Sequence, residues 1–214
     1  MRERLDNEIM ALNSEMVRMV SFAEDAIHMA TQSLAAQVPD VVERAVEAND
    51  EVERLDQTIE RRCLNVLLKE QPVAGDLRLV SSVLKMITDV NRIGDQAANI
   101  AEMTLRHPDI CGSEDSNPLR QMGDVTERML ADVINAFVGS DLEMAKEVIA
   151  SDDVVDRIYR DLQTDLVVKI KNETDDIETA IQVILIAKYY ERIGDHIVNM
   201  AHWVDYTITG ELNR

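Results

Sequence analysis

A nine-residue pattern that occurs twice limits what this chain can fold into. Asn-Arg-Ile-Gly-Asp-x-x-x-Asn at 91–99 returns as Glu-Arg-Ile-Gly-Asp-x-x-x-Asn at 191–199, so that Arg92, Ile93, Gly94, Asp95 and Asn99 recur as Arg192, Ile193, Gly194, Asp195 and Asn199. A repeat of that length divides a 214-residue chain into two halves of domain size. A second pair of stretches matches as well: Asp50, Val52, Glu53, Arg54 and Leu55 are answered by Asp153, Val155, Asp156, Arg157 and Ile158. Here the offset is 103 residues where the motif's is 100, and the loop around Pro72, which has no proline counterpart in the second half, has room for the difference.

Local signals in both halves are helical. The chain has only 7 glycines and 4 prolines, few aromatic residues and little of the alternation expected of strands. Six amphipathic segments run over about 6–36, 40–69, 76–105, 118–139, 141–171 and 176–208, with breaks at Pro39, Pro72 and Gly75, Pro108 and Gly112, Gly139, and Gly210. Long helices joined by short loops pack as antiparallel bundles. The expected fold is therefore all-α, two repeated three-helix bundles with units at 1–110 and 111–214. With 46% hydrophobic residues the chain can fill one large core or two smaller ones.

Forty-one acidic residues against 22 basic ones give a net charge of −19, which repels nucleic-acid backbones and anionic lipid. Such a surface either attracts cations and basic protein patches or simply maintains solubility. Cys63 and Cys111 have no metal-ligand spacing, the first residues carry alternating charges, and no apolar run is long enough to span a bilayer. The expectation is a reduced cytoplasmic protein that does not cross a membrane.

The motif's acids fall at the edge of the apolar stripes. At about 100° per residue, Ile184, Ala187, Glu191, Gly194 and Val198 share one sector of the sixth segment, and Leu84, Ile87, Asn91, Gly94 and Ala98 share one in the third. Asp195 and Asp95 lie at the margins of these sectors. The fifth segment sets Asp152 and Asp156 beside its apolar face, and the second sets Asn49, Glu53, Asp56 and Glu60 at the matching border. Facing motifs would gather Asp152, Asp156, Glu191 and Asp195 around one point, a cluster that repels itself unless a cation compensates it. Oxygen-only ligation suits Mg, Mn, Ca or iron. The competing arrangement pairs Glu191 and Asp195 with Arg192, Arg157 or Arg160 and never brings the four acids together. The four histidines share no ligand spacing, no Glu-x-x-His occurs, and neither a phosphate loop nor a nucleophile elbow is present.

With the paired Arg-Ile-Gly-Asp-x-x-x-Asn stretches and an acid pair on the preceding helix, the chain resembles the PhoU family of phosphate-signalling proteins over nearly its whole length. The family's acid-x-x-x-acid pattern is met in full by Glu191 with Asp195 and by Asp152 with Asp156. Its first-half counterparts are Asn91 with Asp95 and Asn49 with Glu53, where each leading position lacks its charge. Arg92, Asn99, Arg192 and Asn199 complete the motif. The resemblance implies two three-helix bundles, often a homodimer, and a cytoplasmic negative regulator of the phosphate-starvation response. It further implies a non-enzymatic link between the ATPase of the phosphate-specific ABC transporter and a sensor histidine kinase, with multinuclear iron or zinc clusters on the acidic motifs. Two other classes stay open, a metal-independent helical adaptor and a carboxylate-metal enzyme. The halves also differ at Leu185, Tyr189, Met200 and Trp203, which replace Lys85, Asp89, Ile100 and Met103. This more apolar side of the sixth segment is expected either to meet a protein or to be covered by the chain's own helices.

Overall fold

A computed structural model describes residues 2–36, 38–171 and 177–211. Its six long helices are α1 (Arg2–Ser33), α2 (Pro39–Lys69), α3 (Ala74–Arg106), α4 (Ser116–Gly139), α5 (Leu142–Lys171) and α6 (Ile177–Thr209), with a 3-10 turn at Pro108–Ile110, and there is no strand among the described residues. The expected start of the sixth helix at 176 lies outside the described residues.

The breaks have local causes. Pro39 opens α2 behind Val38 in extended conformation, where the missing N–H costs nothing because the first helical donors have no intrahelical partner. Before Pro72, the helix gives way at Gln71, which takes a left-handed φ of 47°. Ser140 closes α4 in the left-handed region, and Asp141 caps α5 by accepting the Met144 N–H at 3.0 Å. Gly210 ends α6 at φ 80°, a conformation that glycine adopts without steric cost.

Each half packs as a three-helix bundle: α1, α2 and α3 meet one another, as do α4, α5 and α6. The bundles also meet along two seams, α1 on α4 and α3 on α6. Their buried side chains form one continuous core, from Leu12, Met16 and Ile27 through Ile93 and Ile100 to Leu119, Ile193 and Tyr190. On the α1–α4 seam Gly123 lies directly beneath Thr31, so close that a β-carbon there would overlap the threonine hydroxyl. That hydroxyl donates to the Ile27 carbonyl at 2.8 Å and accepts from the fully buried Tyr190 hydroxyl at 3.0 Å. A phenol from α6 is thereby satisfied by α1 of the other bundle; burial, helped by the charges of Asp124 and Glu127, holds it neutral well above the usual tyrosine range against the opposing pull of its hydrogen bond with Thr31. No helix is long and apolar enough to cross a membrane among the described residues.

Candidate functional site

The second-half site is built on Gly194. Asp152 of α5 lays its carboxylate against the α6 backbone there, and a β-carbon at Gly194 would overlap one carboxylate oxygen. The glycine thus admits an acid where most residues would exclude it, and the acid is half-buried as a consequence. Burial, followed by the charges of Asp156, Asp195, Glu191 and Asp153, pushes the Asp152 carboxyl up to about 7. Asp195 is raised too, first by burial and then by Glu191 and Asp156, against the opposing influence of Lys188 and His196. Asp152, Asp156, Glu191 and Asp195 therefore lie within one another's fields across the α5–α6 interface.

Their counter-charge is Lys188, one turn before Glu191. Its ammonium donates to the Glu191 carboxylate, whose side chain is only 15% exposed, and stands 5.5 Å from the centre of the Tyr159 ring. Arg157, Arg160 and Arg192, the arginines nearest in sequence to these acids, are exposed. The i, i+3 spacing of Lys188 and Glu191 carried that signal in the sequence.

The first half repeats the scaffold with neutral groups. Asn49, 9% exposed, places its side-chain oxygen against Gly94 as Asp152 does against Gly194. Its amide donates to Asp95 at 3.4 Å, and Asp95 also accepts from Arg92 at 3.2 Å. The side-chain oxygens of Asn49 and Asn91 are buried without a hydrogen-bond partner. Glu53 is exposed, and the carboxylate it influences lies on its own helix: Asp56 is raised by burial, then by Glu60 and Glu53.

These donors suit a hard cation chemically. In one half, four carboxylates share one lysine; in the other, two orphaned amide oxygens flank an aspartate, and such oxygens are normally satisfied. Yet among the described residues no group of three or more His, Cys, Asp or Glu is placed to hold a metal ion. Ligation in the second half would require these carboxylates to draw closer together.

Other residues of the motif point elsewhere. Arg92, Asn99, Arg192 and Asn199 are exposed, and all but Asn99 line a cleft of about 970 Å3 between α3 and α6. Across that seam His196 meets Asp89 at 2.9 Å, a contact between bundles. A partner 107 positions away leaves no local trace, so the sequence offered His196 no role.

The apolar contact surface expected on α6 needs correction. Met200 is fully buried, because α6 packs against α3 as well as α4 and α5 and its far side becomes core. Tyr189 and Trp203 are half-buried against that core, and Trp203 lines the cleft. Of the four, Leu185 is exposed, continuing a stripe with Ile177 and Ile181 at successive turns.

The PhoU domain family model matches the chain twice, at residues 16–104 and 119–204. A phosphate-specific transport system accessory protein PhoU homolog of Aquifex aeolicus is 31% identical, with 98% of this chain and 95% of that protein covered. Its namesake from Clostridium acetobutylicum is 30% identical, over 98% and 96%. Crystal structures of PhoU from Pseudomonas aeruginosa and of the phosphate transport system regulatory protein PhoU from Streptococcus pneumoniae superimpose with TM-scores of 0.90 each. They are 27% and 26% identical, and the alignments cover 96% and 98% of this chain and 99% of each crystal chain. Two family matches, one on each bundle and each containing one copy of the Arg-Ile-Gly-Asp motif, place this chain in the PhoU family.

Proposed function

We propose that the chain is a cytoplasmic, non-enzymatic negative regulator of the phosphate-starvation response. It works as a homodimer that connects the ATPase of a phosphate-specific ABC transporter to a sensor histidine kinase. The observation that carries this reading is the pair of family matches to a chain whose relatives are named as accessory proteins of a phosphate-specific transport system. Acid motifs that gather across α5 and α6 supply a place where a divalent or trivalent cation adds to the regulator, iron, zinc, manganese or magnesium being the candidates. Bound there, a cation would neutralise the carboxylates and fix α5 against α6; Asp152, Asp156, Glu191 and Asp195 would hold it, with Asn49, Asn91, Glu53 and Asp95 as the weaker counterpart.

Deletion of the gene should leave phosphate-uptake genes active in phosphate-rich medium, and affinity capture from such cells should recover transporter components. An unchanged reporter together with no transporter component in the eluate would sink the reading. One observation favours a metal-independent adaptor as the second reading: Lys188 already neutralises Glu191. If an Asp152→Asn/Asp156→Asn chain restores full repression, the adaptor reading holds; lost repression with an intact fold supports the metal-linked one.

A further inference from the structure

The two motif arginines, 100 positions apart, meet at one cleft. α3 contributes Lys85, Arg92 and Gln96 to its walls, and α6 contributes Arg192, His202 and Trp203. On a chain of net charge −19, a cleft with three permanent cations is a local exception. Its two carboxylates do little to cancel them. Asp89 is engaged by His196, and Asp195 sits at the rim within reach of Lys188's field. Arg92 gives one nitrogen to Asp95, while Arg192 and Lys85 have no ion-pair partner among the described residues. In the same walls the Gln96 oxygen and the His202 Nδ1 are buried without a hydrogen-bond partner. Trp203 packs edge-on against Tyr206, ring centres 5.9 Å apart, which holds its plane.

We propose that the α3–α6 cleft binds a nucleoside polyphosphate. Arg192, Lys85 and the remaining edge of Arg92 receive the phosphates, since a guanidinium fork matches phosphate oxygens in pairs. The base lies on the Trp203 ring, a mode of contact that any nucleobase face permits. Gln96 and His202 supply the unsatisfied groups that its edge needs. Size argues against a bare oxyanion, because about 970 Å3 is at the upper end of small-molecule sites. This site touches the α5–α6 acids only at Asp195 and does not rest on the regulatory reading.

Trp203 is the chain's single tryptophan, so its emission reports on the cleft without labelling. Purified full chain in chelator is titrated with ATP, AMP and inorganic phosphate, with calorimetry in parallel. ATP should change the emission saturably, AMP should bind several-fold more weakly, and phosphate should neither reproduce the change nor compete at equal concentration. Arg192→Gln should weaken ATP by about tenfold, the loss of one charge-assisted contact, with an unchanged melting temperature because the side chain is exposed. Arg160→Gln on α5 should leave the affinity as it was. No saturable signal by either method at millimolar ATP would overturn the proposal. So would phosphate competing as well as ATP, an Arg192→Gln chain that binds normally, or equal weakening by Arg160→Gln.

Discussion

Asp152 and Gly194 have to be understood as one unit. Burial and the neighbouring acids push the Asp152 carboxyl up from an ordinary value near 3.8 to about 7. Between those values the folded chain holds a proton that the unfolded chain has released, so stability falls as pH rises through the window and stays low above it. Asp156, Asp153, Glu191 and Asp195 all act in that direction on Asp152. Thermal melts in chelator should therefore show a midpoint that drops between about pH 4 and pH 7. Asp152→Asn should flatten the drop and raise the midpoint at the alkaline end; a wild-type chain with a flat or rising profile would contradict this account. Gly194→Ala tests the contact itself. Alanine is the better helix former by about 1 kcal/mol, yet its β-carbon overlaps the Asp152 carboxylate. The single substitution should cost about 1–3 kcal/mol in denaturant unfolding. Combined with Asp152→Ala it should become neutral or stabilising relative to Asp152→Ala alone, because the overlap is gone and the propensity gain remains.

Elements show where sequence reasoning works and where it stops. The helix ends before Pro72 and at Ser140 and Gly210 are set by residues within a turn of them, which is why the six segments were legible within a few positions. The turn of each helix about its axis is partly legible too: a projection places Asp152 toward the motif face because it adjoins the buried stripe of Val155, Leu162 and Leu166, and Val155 packs near the same Gly194. Projection fails for α6. That helix is apolar on several sides because it meets α3, α4 and α5, and nothing within its own sequence states which side is left over. Met200 and Leu185 separate the two situations. Met200→Ala should cost about 2–5 kcal/mol, as truncation of a fully enclosed side chain does. Leu185→Glu should leave stability within about 0.5 kcal/mol but reduce the molecular mass in solution if the stripe through Ile177, Ile181 and Leu185 joins two copies. A destabilised Leu185→Glu chain would instead place that residue in the core.

At the scale of the molecule, one scaffold is used twice with different charge. Both halves bring an oxygen from their second helix onto a glycine of their third, Asn49 on Gly94 and Asp152 on Gly194. The sequence disclosed this correspondence through the repeat, but the ties that fuse the halves, Tyr190 with Thr31 and His196 with Asp89, cross from one repeat to the other and had no periodic signal. What differs between the halves is the electrostatic demand. Burial and neighbouring acids raise the proton affinity of Asp152 and Asp195 in the second half, and a bound cation would replace those protons; the first half has buried neutral oxygens at Asn49 and Asn91 beside a partly neutralised Asp95. An amide oxygen is a ligand without charge, so a hard cation should bind the second half more tightly and lose affinity there as the solution is acidified toward the carboxyls' raised range. The comparison is metal content and metal-dependent melting of Glu191→Gln/Asp195→Asn beside Asn91→Ala/Asp95→Asn, each with manganese, zinc and ferrous iron. The first pair should lose most of the metal and most of the melting shift, the second a minor part. Equal losses from both pairs, or the larger loss from the first-half pair, would show that the two bundles bind cations without regard to the charge that separates them.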